Sequence, residues 1–120
     1  IIADDDEIFR NGLKIIIEQD KDIKVCGLAS NGNSAYDLCK TEKPDIVLMD
    51  MQMPVMNGLY ATTAIRNMNS SEAHTIPIIA MTANAFKEDI EKCLNAGMNK
   101  YLSKPVDIFK LLKVLSEFRN

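Results

Sequence analysis

Asp50 closes the apolar run Ile46-Val47-Leu48-Met49, and three more acids, Asp4-Asp5-Asp6, follow the apolar run Ile1-Ile2-Ala3. Thr82 ends a third such run, Ile78-Ile79-Ala80-Met81, and Lys104 with Pro105 follows a fourth near Leu102. Carboxylates gathered within a few ångströms raise and couple one another's proton affinities, and an oxygen-seeking divalent cation relieves the repulsion. Mg2+ suits such a set, since it binds through a few carboxylates, keeps several waters and accepts phosphate oxygens. Asp50 is then a candidate nucleophile, because a carboxylate that attacks phosphorus yields an acyl phosphate. Thr82 and Lys104 would each contact an oxygen of the transferred group, one by a directional hydrogen bond and one by positive charge. The combination suggests a metal-dependent phosphoryl site. Each part alone is weaker: a strand-end Thr is usually structural, a lone Lys is usually solvated, and Asp5 and Asp6 could merely open a helix. Three consecutive acids plus Asp50 ask for more than a helix start.

These residues act together only if the elements carrying them share one edge. Short apolar runs alternate with helical patterns five times, which predicts βαβ units, right-handed crossovers and a parallel sheet. Strands are expected at 1–4, 23–28, 45–49, 76–81 and 99–102. In such open α/β sheets, chemistry lies outside the carboxyl ends of the strands. The first helix should start at about Asp6 and bury Phe9, Leu13, Ile16 and Ile17. A second, roughly 33–42, buries Ala35, Leu38 and Cys39 and stops before Pro44. The third runs from about Asn57 through Ala61, Ile65 and Met68. The fourth, about 84–96, carries Phe86, Ile90 and Leu94 and ends at Gly97 in a left-handed cap. The last, 107–118, turns Ile108, Leu111, Leu112 and Leu115 inward. The stretch Asn69 to Thr75 is the only extended polar loop. Lys104-Pro105 is a candidate cis bond, because X-Pro is where cis is cheap.

Composition narrows the function. The chain has 120 residues, enough for one domain with its own core. A net charge of −3 argues against a free-standing nucleic-acid binder. No apolar stretch approaches a membrane span and no signal peptide opens the chain. Cys26, Cys39 and Cys93 lack metal-type spacing, so reduced thiols in the cytoplasm are expected. Because the numbering opens at Ile1 inside a strand, without Met, the chain is expected to be a trimmed piece of something longer. His74, the only histidine, falls in a polar loop and is not a catalytic candidate. Met49, Met51, Met53 and Met56 are read as packing rather than copper ligands, since the site is dominated by hard oxygens. The charges at Lys87, Glu88, Asp89, Glu91 and Lys92 form a solvated helix face.

The motifs Asp4-Asp5, Met49 to Gly58, Met81-Thr82-Ala83-Asn84-Ala85 and Tyr101-Leu102-Ser103-Lys104-Pro105 resemble those of receiver domains of two-component signalling, and the likeness covers essentially residues 1–120. That resemblance implies a three-layer, doubly wound (βα)5 flavodoxin-like fold with sheet order 2-1-3-4-5. It implies that Asp50 accepts a phosphoryl group from a histidine on a partner kinase or phosphotransfer protein. Mg2+ would be held by Asp5, Asp50 and the backbone carbonyl of Gln52, with Asp4 acting through water. Thr82 and Lys104 would read the phosphorylated state, and Tyr101 would swing inward as Thr82 is drawn to the phosphate. The chain would be a signalling phosphoacceptor rather than an enzyme, catalysing its own phosphorylation and losing the phosphate slowly. The fourth helix, fifth strand and fifth helix would form an output or homodimer face, and the first helix would dock the partner. The domain itself would bind neither nucleic acid nor membrane, and its output would be transcription or a phosphorelay.

Two departures from the family pattern stand out. Asn57 occupies a position where many relatives carry an acid, and Asn suits a turn or cap. Gln52 and Asn84 flank the expected path of the hydrolytic water, and neither is a strong base, so a persistent aspartyl phosphate is expected. A haloacid-dehalogenase-type phosphatase would share the Asp, Mg2+, Thr and Lys, but would need a second Asp where Gln52 stands. A receiver-like interaction module with a dead site would lack one of the key groups, and all are present. No GxGxxG or GxxxxGK[ST] follows a strand, against a nucleotide site. The first half resembles receivers of DNA-binding regulators, the second those of hybrid histidine kinases, so the parent is left open between them.

Overall fold

A computed structural model describes residues 1–69, 73–83 and 86–118. Five strands alternate with five helices: β1 (Ile2–Ala3), α1 (Glu7–Ile17), β2 (Leu28–Ala29), α2 (Gly32–Glu42), β3 (Val47–Asp50), α3 (Gly58–Arg66), β4 (Ile78–Thr82), α4 (Lys87–Ala96), β5 (Lys100–Ser103) and α5 (Ile108–Glu117). The strands form one parallel sheet in the order β2-β1-β3-β4-β5. This is the expected doubly wound flavodoxin-like fold.

The central strands are buried on both faces, so they are apolar without interruption, and successive side chains serve opposite layers. Val47, Met49, Ile78 and Ala80 face a layer with Ala35 and Cys39 of α2, Ala61 and Ile65 of α3, and Cys93 of α4. Leu48, Ile79 and Met81 face the other layer, with Leu13 and Ile17 of α1 and Leu111, Val114 and Leu115 of α5. Asp6, Asn31, Asn57 and Asp107 each cap a helix, their side-chain oxygens accepting backbone N–H groups of the first turn. Gly97 ends α4 with φ 107°, the left-handed cap expected there.

Several expectations need correction. The second strand is only Leu28–Ala29, not 23–28, because its ladder begins at the pair Ile2–Leu28 and residues 23–26 have no strand beside them. That segment is held by side chains instead: Ile23 and Val25 pack onto the α1/α5 layer, and Val25 N–H donates to Glu18 Oε2 at 3.0 Å. In α1, Leu13 and Ile17 are buried while Phe9 and Ile16 are half-buried. Leu38 of α2 is half-buried, and Met68 lies past the end of α3. The helical residues of α4 start at Lys87; Asn84 and Ala85 lie outside the described residues, as do Ser70, Ser71 and Glu72 of the polar loop. Phe86 and Leu94 are exposed, and the buried residue of α4 is Cys93. Phe86 precedes the first turn and so escapes the helical period, and Leu94 sits one residue round from the buried face. In α5, Ile108 and Leu112 are part-exposed and Val114 joins Leu111 and Leu115 inside. That helix has more apolar positions than one face can bury, and its seat on the sheet selects among them.

Candidate functional site

The acids meet because β1 and β3 are neighbours, in register at Ile2–Leu48 and Ala3–Met49. Asp4, just past β1, is fully buried; its N–H donates to Ala29 O and its Oδ1 accepts the Asp6 N–H, both at 2.9 Å. Asp6 turns away to cap α1, accepting Phe9 N–H at 3.1 Å. The helix-start reading made for Asp5 and Asp6 therefore holds for Asp6, the cap of α1, while an Asp5 oxygen lies with the acidic cluster. Asp50, the last residue of β3, is 6% exposed, and its Oδ1 accepts Gln52 N–H at 3.2 Å. One oxygen from each of Asp4, Asp5 and Asp50 lies within 4.8 Å of the other two, with Asp5 on the solvent side. Three hard oxygen donors at this spacing fit a divalent cation of the Mg2+ type.

Lys104 reaches this cluster from the end of β5. Its Nζ donates to Asp4 Oδ2 at 2.8 Å and Asp50 Oδ2 at 3.2 Å. Its backbone N–H donates to Thr82 O at 2.7 Å, and the Lys104-Pro105 bond is cis. The Phe9 ring flanks the ammonium, 4.8 Å from Nζ to its centroid. Burial raises the Asp50 carboxyl above the ordinary range and the Asp4 charge adds to this, while Gln52 N–H and Lys104 oppose it. Burial would lower the Lys104 ammonium, but the hydrogen bond to Asp4 and the two acids' charges outweigh it and hold it above its ordinary value. Thr82, at the end of β4, is buried alongside. Tyr101 of β5 pairs with Ala80 and is part-exposed, its side chain outside the core.

The connection from β3 to α3 is tied down at three points. Met51 N–H donates to Met81 O at 3.0 Å, Gly58 N–H to Met51 O at 3.1 Å, and Gly32 N–H to Met56 O at 2.8 Å. Gly58 is glycine for a reason, since a Cβ there would lie 2.2 Å from Asp50 O. Met51 and Met53 are buried beneath the loop, Met51 Sδ meeting the Cys93 thiol at 3.0 Å. Asn57 caps α3 through Tyr60 N–H. Gln52 is exposed. His74 is exposed and its Nε2 meets Met68 O, among the described residues, at 3.0 Å.

Three supporting residues escape sequence reasoning. Arg10 Nη1 donates to Asp4 O at 2.7 Å and steadies the acid turn. Phe9 flanks Lys104, and Gly58 makes room for Asp50. Phe9 meets a partner far along the chain, whereas Arg10 and Gly58 meet Asp4 and Asp50 through the turns that follow β1 and β3; only Gly58, after the Asn57 cap, carried a local signal.

The model of the response regulator receiver domain family matches residues 1–116. The chain belongs to that family. The receiver is 36% identical over 122 residues to hybrid signal transduction histidine kinase I of Dictyostelium discoideum, a match spanning 97% of this chain and 7% of the kinase. Its fold superimposes on the receiver domain of sensor histidine kinase PA1611 from Pseudomonas aeruginosa with TM-score 0.85 and 32% identity, over 98% of this chain and 93% of that one. That relative carries a magnesium ion in its active-site cleft. The Saccharomyces cerevisiae Ssk1 receiver, solved with the histidine phosphotransfer protein Ypd1, gives TM-score 0.86 and 30% identity over 98% and 85% of the two chains. As a receiver, the chain has the phosphoacceptor role of two-component signalling. Among the described residues no helix is long and apolar enough to cross a membrane.

Proposed function

We propose that Asp50 is the phosphoacceptor and that its partner is a histidine kinase or histidine phosphotransfer protein. The observation that carries this reading is the single Lys104 ammonium shared by Asp4 and Asp50, with an Asp5 oxygen beside them. An Asp50 oxygen attacks the phosphorus of a phosphohistidine, the P–N bond breaks, and the ring departs as neutral imidazole with its proton on the other nitrogen. Asp5, Asp50 and the Gln52 backbone carbonyl would hold Mg2+ and Asp4 would engage it through water; the ion would neutralise charge on the phosphoryl oxygens. Lys104 then exchanges an Asp50 oxygen for a phosphoryl oxygen while keeping its bond to Asp4. Thr82 donates its hydroxyl to the same group, and Tyr101 turns inward behind it.

The domain catalyses its own phosphorylation in the cytoplasm. It signals either as part of a phosphorelay or toward transcription through a domain other than itself, with no membrane or nucleic acid bound by residues 1–120. Exposed Leu94, Tyr101 and Leu112 support a homodimer face on α4, β5 and α5. Exposed Gln52 offers no base to a hydrolytic water, so the aspartyl phosphate decays slowly. Gln52→Glu, which sets a carboxylate on that path, should shed the phosphate faster, and decay identical to wild type would refute that role for Gln52.

The test of the acceptor is intact mass after incubation with acetyl phosphate and Mg2+. Wild type gains one phosphoryl group and loses that gain with EDTA, while Asp50→Asn gains none. Labelling of Asp50→Asn at the wild-type level would overturn the assignment.

A further inference from the structure

Phe9 is the third residue of α1, and the acid run before the helix sets its place. Asp6 Oδ1 accepts the Phe9 N–H at 3.1 Å, and Arg10, the next residue, donates to Asp4 O at 2.7 Å. The side chain is half-buried and packs against the layer that holds Leu13, Ile17 and Leu111. Leu or Met could fill such a place; what an aromatic ring adds is a negative face. Among the described residues three lysines lie over rings: Lys100 over Phe118 at 6.0 Å, Lys40 over Tyr36 at 5.4 Å and Lys104 over Phe9 at 4.8 Å. The last is the shortest, and its ammonium is the one bound by buried acids, Asp4 at 2.8 Å and Asp50 at 3.2 Å. An ammonium has three N–H groups, and these acids take two. The ring fills space beside the ammonium that water would otherwise enter, and its face attracts the charge there.

That attraction matters when a phosphoryl group arrives. Lys104 then gives up an Asp50 oxygen for a phosphoryl oxygen, and its flexible stem does not by itself fix where the ammonium goes. Asp4 alone would leave it free to swing about one hydrogen bond. A second fixed point removes that freedom, and a donor held in place before charge develops costs no reorganisation at the moment of reaction. A carboxylate at this point would compete with the phosphoryl oxygens for the lysine. A ring carries no net charge and so holds the ammonium without keeping it from them.

We infer that Phe9 is a positioning residue for phosphoryl transfer: its ring face holds the Lys104 ammonium in place as it passes from an Asp50 oxygen to a phosphoryl oxygen. The inference rests on the proposed phosphoacceptor function, and the test separates the two. Phe9 is replaced by phenylalanines bearing one, two or three ring fluorines, which keep the ring's shape and drain its negative face, and by Leu, which has no ring. Melting in EDTA reports the contact alone. Three fluorines should lower the melting temperature by about 3 °C where Lys104 is present and leave Lys104→Met unchanged. Labelling by acetyl phosphate in Mg2+ reports the reaction. Its rate should fall with each fluorine, to about one fifth with three, and Phe9→Leu should be as slow. The Mg2+ dissociation constant, from titration calorimetry, should stay at the wild-type value throughout, because the ring acts on the lysine and not on the acids. Equal labelling rates across the fluorinated series would overturn the inference, and a slow Phe9→Leu would then assign the side chain to packing. A fluorine effect on melting that persists in Lys104→Met would overturn it too, as would Mg2+ binding that weakens in step with the rate. A wild type that shows the melting effect yet takes no phosphoryl group from acetyl phosphate would instead overturn the phosphoacceptor reading.

Discussion

Replacing Lys104 by Met leaves Asp4 and Asp50 facing each other without the ammonium that now bridges them at 2.8 and 3.2 Å. At an effective dielectric of about 20 to 40, each contact is worth roughly 3–6 kcal/mol before desolvation. The lysine side chain is 26% exposed, so water screens the pair and desolvation cancels most of the remainder. What remains is the cost of buried carboxylates with no counter-charge, about 2 kcal/mol. For 120 residues the unfolding entropy is roughly 250 cal/mol/K, so the melting temperature in EDTA should fall by about 8 °C. Mg2+ brings positive charge to the same oxygens and binds only the folded state, so it should stabilise Lys104→Met more than wild type. In about 10 mM Mg2+ the gap should shrink to roughly half. In an Asp50→Asn background the lysine loses one partner, and the same substitution should cost only about 1 kcal/mol. Calorimetric scans of the four proteins, with EDTA and with Mg2+, give every comparison. Equal melting of wild type and Lys104→Met in EDTA, or a gap that Mg2+ leaves unchanged, would refute the argument.

Arg66→Ala removes donors to Gly97 O (2.7 and 3.0 Å), Ala73 O (3.0 Å) and Asn99 Oδ1 (2.9 Å), and should cost about 2–3 kcal/mol in urea titrations. Arg66→Lys should recover less than half, because one ammonium cannot reproduce the planar fork. Gly58→Ala drives a Cβ into Asp50 O and should both destabilise the fold by at least about 2 kcal/mol and slow acetyl phosphate labelling; wild-type labelling in this variant would contradict the geometry. The Glu18 carboxyl sits below its ordinary 4.5 because it accepts Val25 N–H and pairs with Lys14. A depressed carboxylate stabilises the fold fully above its unfolded value, and that contribution is lost as pH falls through the folded value. Glu18→Gln should therefore flatten the melting-temperature profile below about pH 4.5, and an unchanged acid limb would count against the Val25 contact.

Local chemistry made much of this protein legible in its sequence. Apolar runs such as Val47-Leu48-Met49 form strands because both faces of a parallel sheet are dry. Asp6, Asn57 and Gly97 mark helix ends because unpaired backbone groups need a side-chain oxygen or a left-handed residue. The Asp4, Asp5, Asp50, Thr82 and Lys104 set could be named because each follows an apolar run, and parallel strands bring their carboxyl ends to one edge. Tertiary structure decided the rest, where partners lie far apart along the chain. Which of six apolar residues α5 buries depends on where it meets the sheet, so Val114 went in and Ile108 stayed part-exposed. Residues 23–26 have a strand-like pattern, but strand pairing also requires a neighbouring backbone. Lys104 is 100 positions from Asp4, and their 2.8 Å contact comes from the packing of β1, β3, β4 and β5. Val55 takes φ 68°, against a β-branched residue's own preference, in a loop tied at Met51, Met56 and Gly58 by contacts to other strands and helices.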